Sequence, residues 1–129
     1  MKLKLSMRTR ITFTFLMSAV CFAYAQTNGF VNPADFDGSA KQKQQVIRYI
    51  QQHTYNSACK RNNICSPTML RTLEETNLDA FKRLTQAEDR DELRNTVRST
   101  CFEMKMCDYF SIETIYNENV KSKKRQLAW

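Results

Sequence analysis

Beyond Gly38, apolar residues recur at intervals of three and four, the spacing that places them on one face of an α-helix. The same region contains no glycine and a single proline, Pro67. Hairpin turns depend heavily on these two residue types, so a β-sheet is poorly supported. The pattern therefore predicts an all-α fold.

Candidate N-cap residues divide this region into four predicted helices, the first over about residues 39–57. In chain order, the caps are Ser39, Ser66 followed by Pro67 at the first helical position, Thr85 of a capping box or Asp89, and Asp108. Four helices of this length predict a small four-helix bundle, with alternating up and down directions.

Each predicted helix carries a stripe of residues that we expect to form the core. In chain order, the stripes are Val46, Ile47, Ile50 and His53 or Thr54; Leu70, Leu73, Asn77, Phe81 and Leu84; Leu93, Val97, Thr100 or Cys101 and Met104; and Ile112, Ile115, Tyr116 and Asn119. Tyr109 is expected beside the fourth stripe. Asn77 interrupts the second stripe, and a break near Thr76 is the alternative to one long helix.

The N-terminal pattern is different, and it predicts a cleaved secretory signal over residues 1–25. Basic residues precede an apolar run from Ile11 to Ala23, and Ala23 and Ala25 provide the small residues of a cleavage site. The run is shorter than the roughly 20 residues that span a bilayer, so a retained anchor is the less favoured alternative. We expect a bacterial protein that is periplasmic or secreted, with no stable membrane anchor.

The mature chain is long enough for one domain. We divide it into an irregular leader, residues 26–38, and a single helical domain, residues 39–129, with a basic C-terminal tail. Losing the four basic residues of the signal lowers the formal net charge from +7 to +3. Much of that remainder lies in the tail, between Lys121 and Arg125. Because the predicted folded body has no basic excess, nucleic acid is not an expected partner.

The cysteines predict two disulfides. Cys21 leaves with the signal, and the other four form two C-x5-C pairs, an even number in an oxidising compartment. In a square bundle, Cys59–Cys107 and Cys65–Cys101 would join adjacent helices, and we expect this nested set. A bridge that closes a long loop stabilises by about 4 kcal/mol in the chain-entropy estimate, against about 2 kcal/mol for a short loop. Two local bridges are the alternative.

The sequence offers few residues that are suited to binding a metal or to catalysis. Structural zinc sites usually space cysteines as C-x2-C to C-x4-C and occur where thiolates persist, so we expect no metal. His53 is the single histidine and lies on an apolar stripe, where a hydrogen-bonded core role is expected. The carboxylates Glu74 and Glu75 and those from Glu88 to Glu92 are interleaved with Arg71, Arg90 and Arg94, as in surface ion pairs. We predict no cofactor and no enzyme activity.

Binding to another protein is the function that these exclusions leave. We expect a small periplasmic immunity or inhibitor protein, or an envelope chaperone, by analogy of architecture. The candidate partner-binding residues are Lys60, Arg61, Asn62 and Asn63, held between two cysteines. The alternative is a carrier that binds a lipid or another apolar small molecule among its aromatic and methionine side chains.

Overall fold

The computed structural model of the chain describes residues 29–128, so the predicted signal peptide lies outside the described residues. Within that range, four α-helices and no strand are present. They are α1, Ala40–Thr54; α2, Pro67–Leu84; α3, Arg90–Val97; and α4, Tyr109–Lys123. The prediction of an all-α bundle with two disulfides is confirmed.

Side-chain caps start three of the helices. Oxygen atoms of Ser39, Asp89 and Asp108 accept hydrogen bonds from backbone N–H groups of the first turns, at 3.2, 2.9 and 2.8 Å. The capping box predicted at Thr85 is not formed, because this residue follows the last turn of α2 and its hydroxyl donates to the Lys82 carbonyl at 2.7 Å. Asp89, the alternative cap, is the one that starts α3.

α1 and α3 both continue into a wider π-helical turn, Tyr55–Arg61 and Arg98–Glu103 respectively. Each turn contains the first cysteine of a C-x5-C pair. We call residues 59–65 the first cysteine loop and residues 101–107 the second cysteine loop. Both loops then lead directly into the N-cap of the next helix.

The two cysteine loops follow the same backbone course. In each, the fifth residue has a left-handed conformation, with φ of 56° at Asn63 and 60° at Lys105. The next N–H then donates to a carbonyl six residues earlier, at 2.8 Å in the first loop and 2.9 Å in the second. This change of direction brings the second cysteine of each loop close to the first.

Each disulfide therefore closes its own loop, Cys59–Cys65 and Cys101–Cys107, with Cα separations of 4.7 and 4.2 Å. The nested pairing predicted above is wrong, and the alternative of two local bridges is the one found. The physical reason is the helix arrangement. α1 packs along α2, α2 packs along α4, and α3 packs along α4. The nested pairing required a square in which α4 lies beside α1 and α3 lies beside α2.

Tyr109 lies at the centre of the core, fully buried, rather than on the flank of α4. Its ring is 5.3 Å from that of Phe30, 5.7 Å from that of Tyr49 and 4.8 Å from that of Phe81, measured between centroids. The core is thus built around packed aromatic rings. Burial raises the pKa of the Tyr109 hydroxyl far above its ordinary value.

The leader is part of this core from Phe30 onwards. The Tyr109 hydroxyl donates to the Val31 carbonyl at 3.0 Å and accepts from the Val31 N–H at 3.3 Å. A 3-10 turn follows at Pro33–Asp35, where Arg90 donates to the Pro33 carbonyl at 3.3 Å. Much of the leader between Phe30 and Phe36 is therefore packed against the bundle, whereas Asp35, Asp37 and Gly38 are exposed.

The first half of α2 projects beyond the start of α4. α2 is continuous, without the break considered near Thr76, and Asn77 accepts a hydrogen bond from the N–H of Phe110 in the first turn of α4. Because α4 starts opposite the middle of α2, the buried residues of α2 all lie in its second half, at Ala80, Phe81 and Leu84. The predicted core stripe is correct only there.

Candidate functional site: an apolar groove

An open groove of about 550 Å³ lies beneath the projecting half of α2. The end of α1 and the first cysteine loop form one side, α2 forms the other, and the start of α4 forms the floor. Its apolar lining includes Ile64, Met69, Leu73 and Phe110, which are 47%, 46%, 37% and 50% exposed. These side chains are therefore only partly covered by the rest of the fold.

Exposed large apolar side chains fall mostly in two stretches of the described chain, 55–73 and 102–110. Ile47 and Leu127 lie elsewhere. The others lie in or beside the two cysteine loops: Tyr55, Ile64, Met69, Leu73, Phe102, Met104, Met106 and Phe110. Of these, Ile64, Met69, Leu73 and Phe110 line the groove, and proteins seldom expose a contiguous apolar patch unless something binds there.

Two predicted core residues belong to this exposed set. Leu73 was expected in the core stripe of α2 and Met104 in that of α3, and both predictions are wrong. Leu73 lies one turn before Asn77, opposite which α4 begins, so α4 does not extend over it. Met104 lies in the second cysteine loop, where the π-helical turn changes the direction of the chain. Ile47, expected in the core of α1, is also 44% exposed.

The polar end of the groove contains His53 and Asp108. Tyr49 donates its hydroxyl proton to the Cys107 carbonyl at 2.6 Å, and its oxygen lies 3.5 Å from Nδ1 of His53. Burial lowers the pKa of His53, the Asp108 carboxylate opposes this, and the Arg61 charge adds to it. The neutral imidazole therefore predominates at neutral pH, so it acts there as a polar wall of the groove.

The predicted partner-binding residues are all exposed but do not share one direction. Asn62 lines the groove and donates to the Ser57 carbonyl at 3.0 Å. The Lys60 ammonium lies 5.9 Å from the centre of the Tyr55 ring, outside the groove. Asn63 occupies the left-handed position of the loop. Of the four predicted residues, Asn62 lines the groove. Arg61 does not line it, but its charge lowers the pKa of His53, which does.

The stretch from the start of α1 to the first half of α2 carries only positive charge, a feature that the sequence analysis did not use. No acidic residue occurs between Asp37 and Glu74, and the basic residues of this stretch are Lys41, Lys43, Arg48, Lys60, Arg61 and Arg71. Within the described residues, only Arg71 of these forms an ion pair, with Glu74 at 2.9 Å. α1 and the first cysteine loop therefore carry unbalanced positive charge, although none of these basic residues lines the groove, where Asp108 is a lining residue.

Carboxylates of the second half of the chain are engaged in structural contacts. Lys123 lies 3.0 Å from Asp89 and 2.8 Å from Glu92, and so ties the end of α4 to the start of α3. This contact lowers the pKa of Glu92. Glu113 of α4 pairs with Arg83 of α2.

Two further observations concern residues 29–128. No group of three or more histidine, cysteine, aspartate and glutamate side chains is arranged to hold a metal ion. No helix in this range combines the length and apolar character needed to cross a membrane. The two disulfides are consistent with an extracytoplasmic protein.

No family model matches the chain, and no match was found among curated proteins or solved structures.

Proposed function

We propose that this chain is an exported helical protein that acts by binding another protein through the apolar groove. The observation that carries the proposal is the set of half-exposed apolar side chains on the first half of α2 and on the first cysteine loop. A bundle of this size could have covered them with a longer α4. Leaving them uncovered costs solubility, which a bound partner offsets.

The groove is preformed, which favours affinity. The Cys59–Cys65 bridge and the Ile64 N–H bond to the Ala58 carbonyl, at 2.8 Å, hold one wall in place. The other wall is the continuous helix α2. Association therefore needs little ordering of the protein, and less of the interaction energy is lost to conformational entropy.

Within this proposal, an immunity or inhibitor protein and an envelope chaperone remain the two roles that we put forward. Both need a stable body with one apolar binding surface. They differ in selectivity, since an inhibitor binds one partner tightly and a chaperone binds many exposed apolar segments.

A carrier of an apolar small molecule is the second candidate. The volume of the groove falls within the range of about 300 to 1,000 Å³ that is usual for ligand sites. Against it, the aromatic side chains of Phe81, Tyr109 and Tyr116 are buried in the core and do not line the groove. A lipid in the groove would remain open to water along one side.

Affinity capture from envelope extracts tests the proposal, with the oxidised chain as bait. We expect a partner to be retained by the wild-type chain and lost with Leu73→Asp, because the added carboxylate lies inside the groove. Ile47→Asp is the matched control, since Ile47 is exposed to a similar extent, 44% against 37%, but lies outside the groove. Equal retention by all three baits, or retention of an extracted lipid instead of a protein, contradicts the proposal.

A further inference from the structure

We infer that a second pocket, separate from the groove, binds a small amphipathic anion such as a medium-chain fatty acid. The apolar body of the ligand occupies the pocket and its anionic headgroup lies at the rim. The pocket has a volume of about 250 Å³ and lies between the start of α1 and the end of α2. The groove is lined by the opposite ends of the same two helices, so this inference does not depend on the proposed function.

The lining of the pocket is apolar because two helix stripes and one residue of the leader meet there. Val46 of α1 and Phe81 of α2 are 1% and 3% exposed and form the innermost part of the lining. Leu78, almost one turn before Phe81, continues the wall of α2. Phe36 of the leader packs edge-on against Phe81, with ring centroids 5.0 Å apart, and adds a third wall. An apolar body in the pocket would therefore contact three segments of the fold at once.

The charged side chains that line this pocket are both lysines, Lys43 of α1 and Lys82 of α2. They lie on facing helices, and both are exposed. Lysine packs its methylene stem along apolar surface and keeps its ammonium group in water, so two positive charges border an apolar interior. This combination complements a molecule with an apolar body and a negative headgroup, and it disfavours a cationic one.

Among the described residues, no carboxylate lines the pocket, and those close to it in sequence have other contacts. The aspartates on either side of Phe36 contact Arg94 and the N-terminus of α1 respectively. Asp79 lies 3.3 Å from Lys82, but both side chains are well exposed, and a pair of this kind contributes little. Lys82 can therefore pair with a bound anion instead. Lys43 forms no ion pair within residues 29–128.

A small molecule fits this pocket better than a partner protein does. The volume lies just below the range of about 300 to 1,000 Å³ that is usual for ligand sites, so the ligand is small. A stable protein interface buries about 800 Å² on each partner. Ile47 is the one exposed large apolar residue among those that line the pocket, so it offers little apolar surface beyond its interior. A partner protein is therefore a competing outcome of the test.

The test compares three molecules of the same chain length that differ in the charge of the headgroup: octanoate, octan-1-ol and octylammonium. Binding to the oxidised chain is measured by isothermal titration calorimetry at neutral pH, below the concentrations at which these molecules aggregate. We expect octanoate to bind at least about fivefold more tightly than octan-1-ol, and octylammonium to bind most weakly. Amide signals near Val46 and Phe81 should shift in ¹H–¹⁵N spectra when octanoate is added, which locates the site.

Three variants separate the parts of the site. Lys43→Gln with Lys82→Gln should weaken octanoate binding about five- to tenfold and change octan-1-ol binding less than about twofold, because only the headgroup loses its partners. The matched control is Lys41→Gln with Arg48→Gln, which makes the same change in net charge on α1 outside the pocket. Its effect on octanoate should stay below about twofold. Ile47→Asp adds a carboxylate to the pocket and should weaken octanoate binding at least about tenfold.

Four results would overturn the inference. One is the absence of octanoate binding at millimolar concentration, and another is equal binding of octanoate and octan-1-ol. Octanoate binding that is lost with Leu73→Asp but kept with Ile47→Asp would place the ligand in the groove. A captured protein that Ile47→Asp releases would assign the pocket to a protein partner. The first two results leave the expected effect of Leu73→Asp on partner capture unchanged, so they are distinguishable from failure of the proposed function.

Discussion

Thr96 and Thr100 are both fully buried, one turn apart, and their hydroxyl groups have opposite surroundings. Thr96 donates to Glu92 at 3.2 Å and accepts from Asn119 at 3.2 Å. The Thr100 hydroxyl has no hydrogen-bond partner. A buried hydroxyl without a partner costs about 1–3 kcal/mol of desolvation that nothing returns.

We therefore predict opposite effects of one substitution at the two positions. Thr100→Val should raise the free energy of unfolding by about 1 kcal/mol, because it replaces the lone hydroxyl by a methyl group of similar size. Thr96→Val should lower it by about 1–2 kcal/mol, because Asn119 and Glu92 lose a partner. Urea unfolding followed by circular dichroism measures both. Equal destabilisation would mean that the Thr100 hydroxyl has a partner in solution.

At the scale of elements, the disulfides give the clearest prediction. The double variant Cys59→Ala with Cys65→Ala should retain the Cys101–Cys107 bridge and contain no free thiol among the remaining cysteines of the mature chain. It should lose about 2 kcal/mol of stability, the chain-entropy estimate for a short loop. Thiol titration under denaturing conditions gives the count. Two free thiols in this variant would restore the nested pairing.

α2 shows why an apolar stripe could not by itself identify core residues. Leu73 and Phe81 belong to the same stripe and were both predicted to be buried, yet only Phe81 is. The stripe identifies the face of the helix, which the sequence determines through its spacing. Whether that face is covered depends on where the neighbouring helix begins, and α4 begins opposite Asn77. Asn77, the polar residue next to the alternative break near Thr76, instead accepts a hydrogen bond from the first turn of α4.

At the scale of the whole molecule, acid should reduce stability in two stages. The pKa of His53 is lowered from its ordinary value of 6.5, mainly by burial, so the folded state resists protonation. The unfolded state then binds more protons below that pH, and stability falls. The pKa of Glu92 is lowered from 4.5, chiefly by the hydrogen bond with Lys123, which adds a second loss as pH falls below that value.

Unfolding measured between about pH 8 and pH 3 tests this order. We expect His53→Gln to remove the loss that begins near pH 6.5 while leaving the one below pH 4.5. Lys123→Gln should reduce the loss below pH 4.5 and leave the one near pH 6.5, because it removes the charge that contributes most to the lowered pKa of Glu92. Unchanged curves for both variants would contradict the assignment of these two groups.

The sequence by itself determined the local features of this protein. Helical spacing, the caps at Ser39, Asp89 and Asp108, and the need for two disulfides follow from interactions between residues close together in the chain. The positive charge of α1 and the first cysteine loop was also readable there, from the lack of any acidic residue between Asp37 and Glu74.

Only the tertiary structure decided which helices are neighbours, and with them the disulfide pairing, the burial of Tyr109 and the exposure of Leu73. The physical reason is that apolar burial has no direction: a stripe can be covered equally well by any partner of complementary shape. The packed leader, the offset start of α4 and the π-helical turns selected one arrangement among several. That arrangement left the groove open.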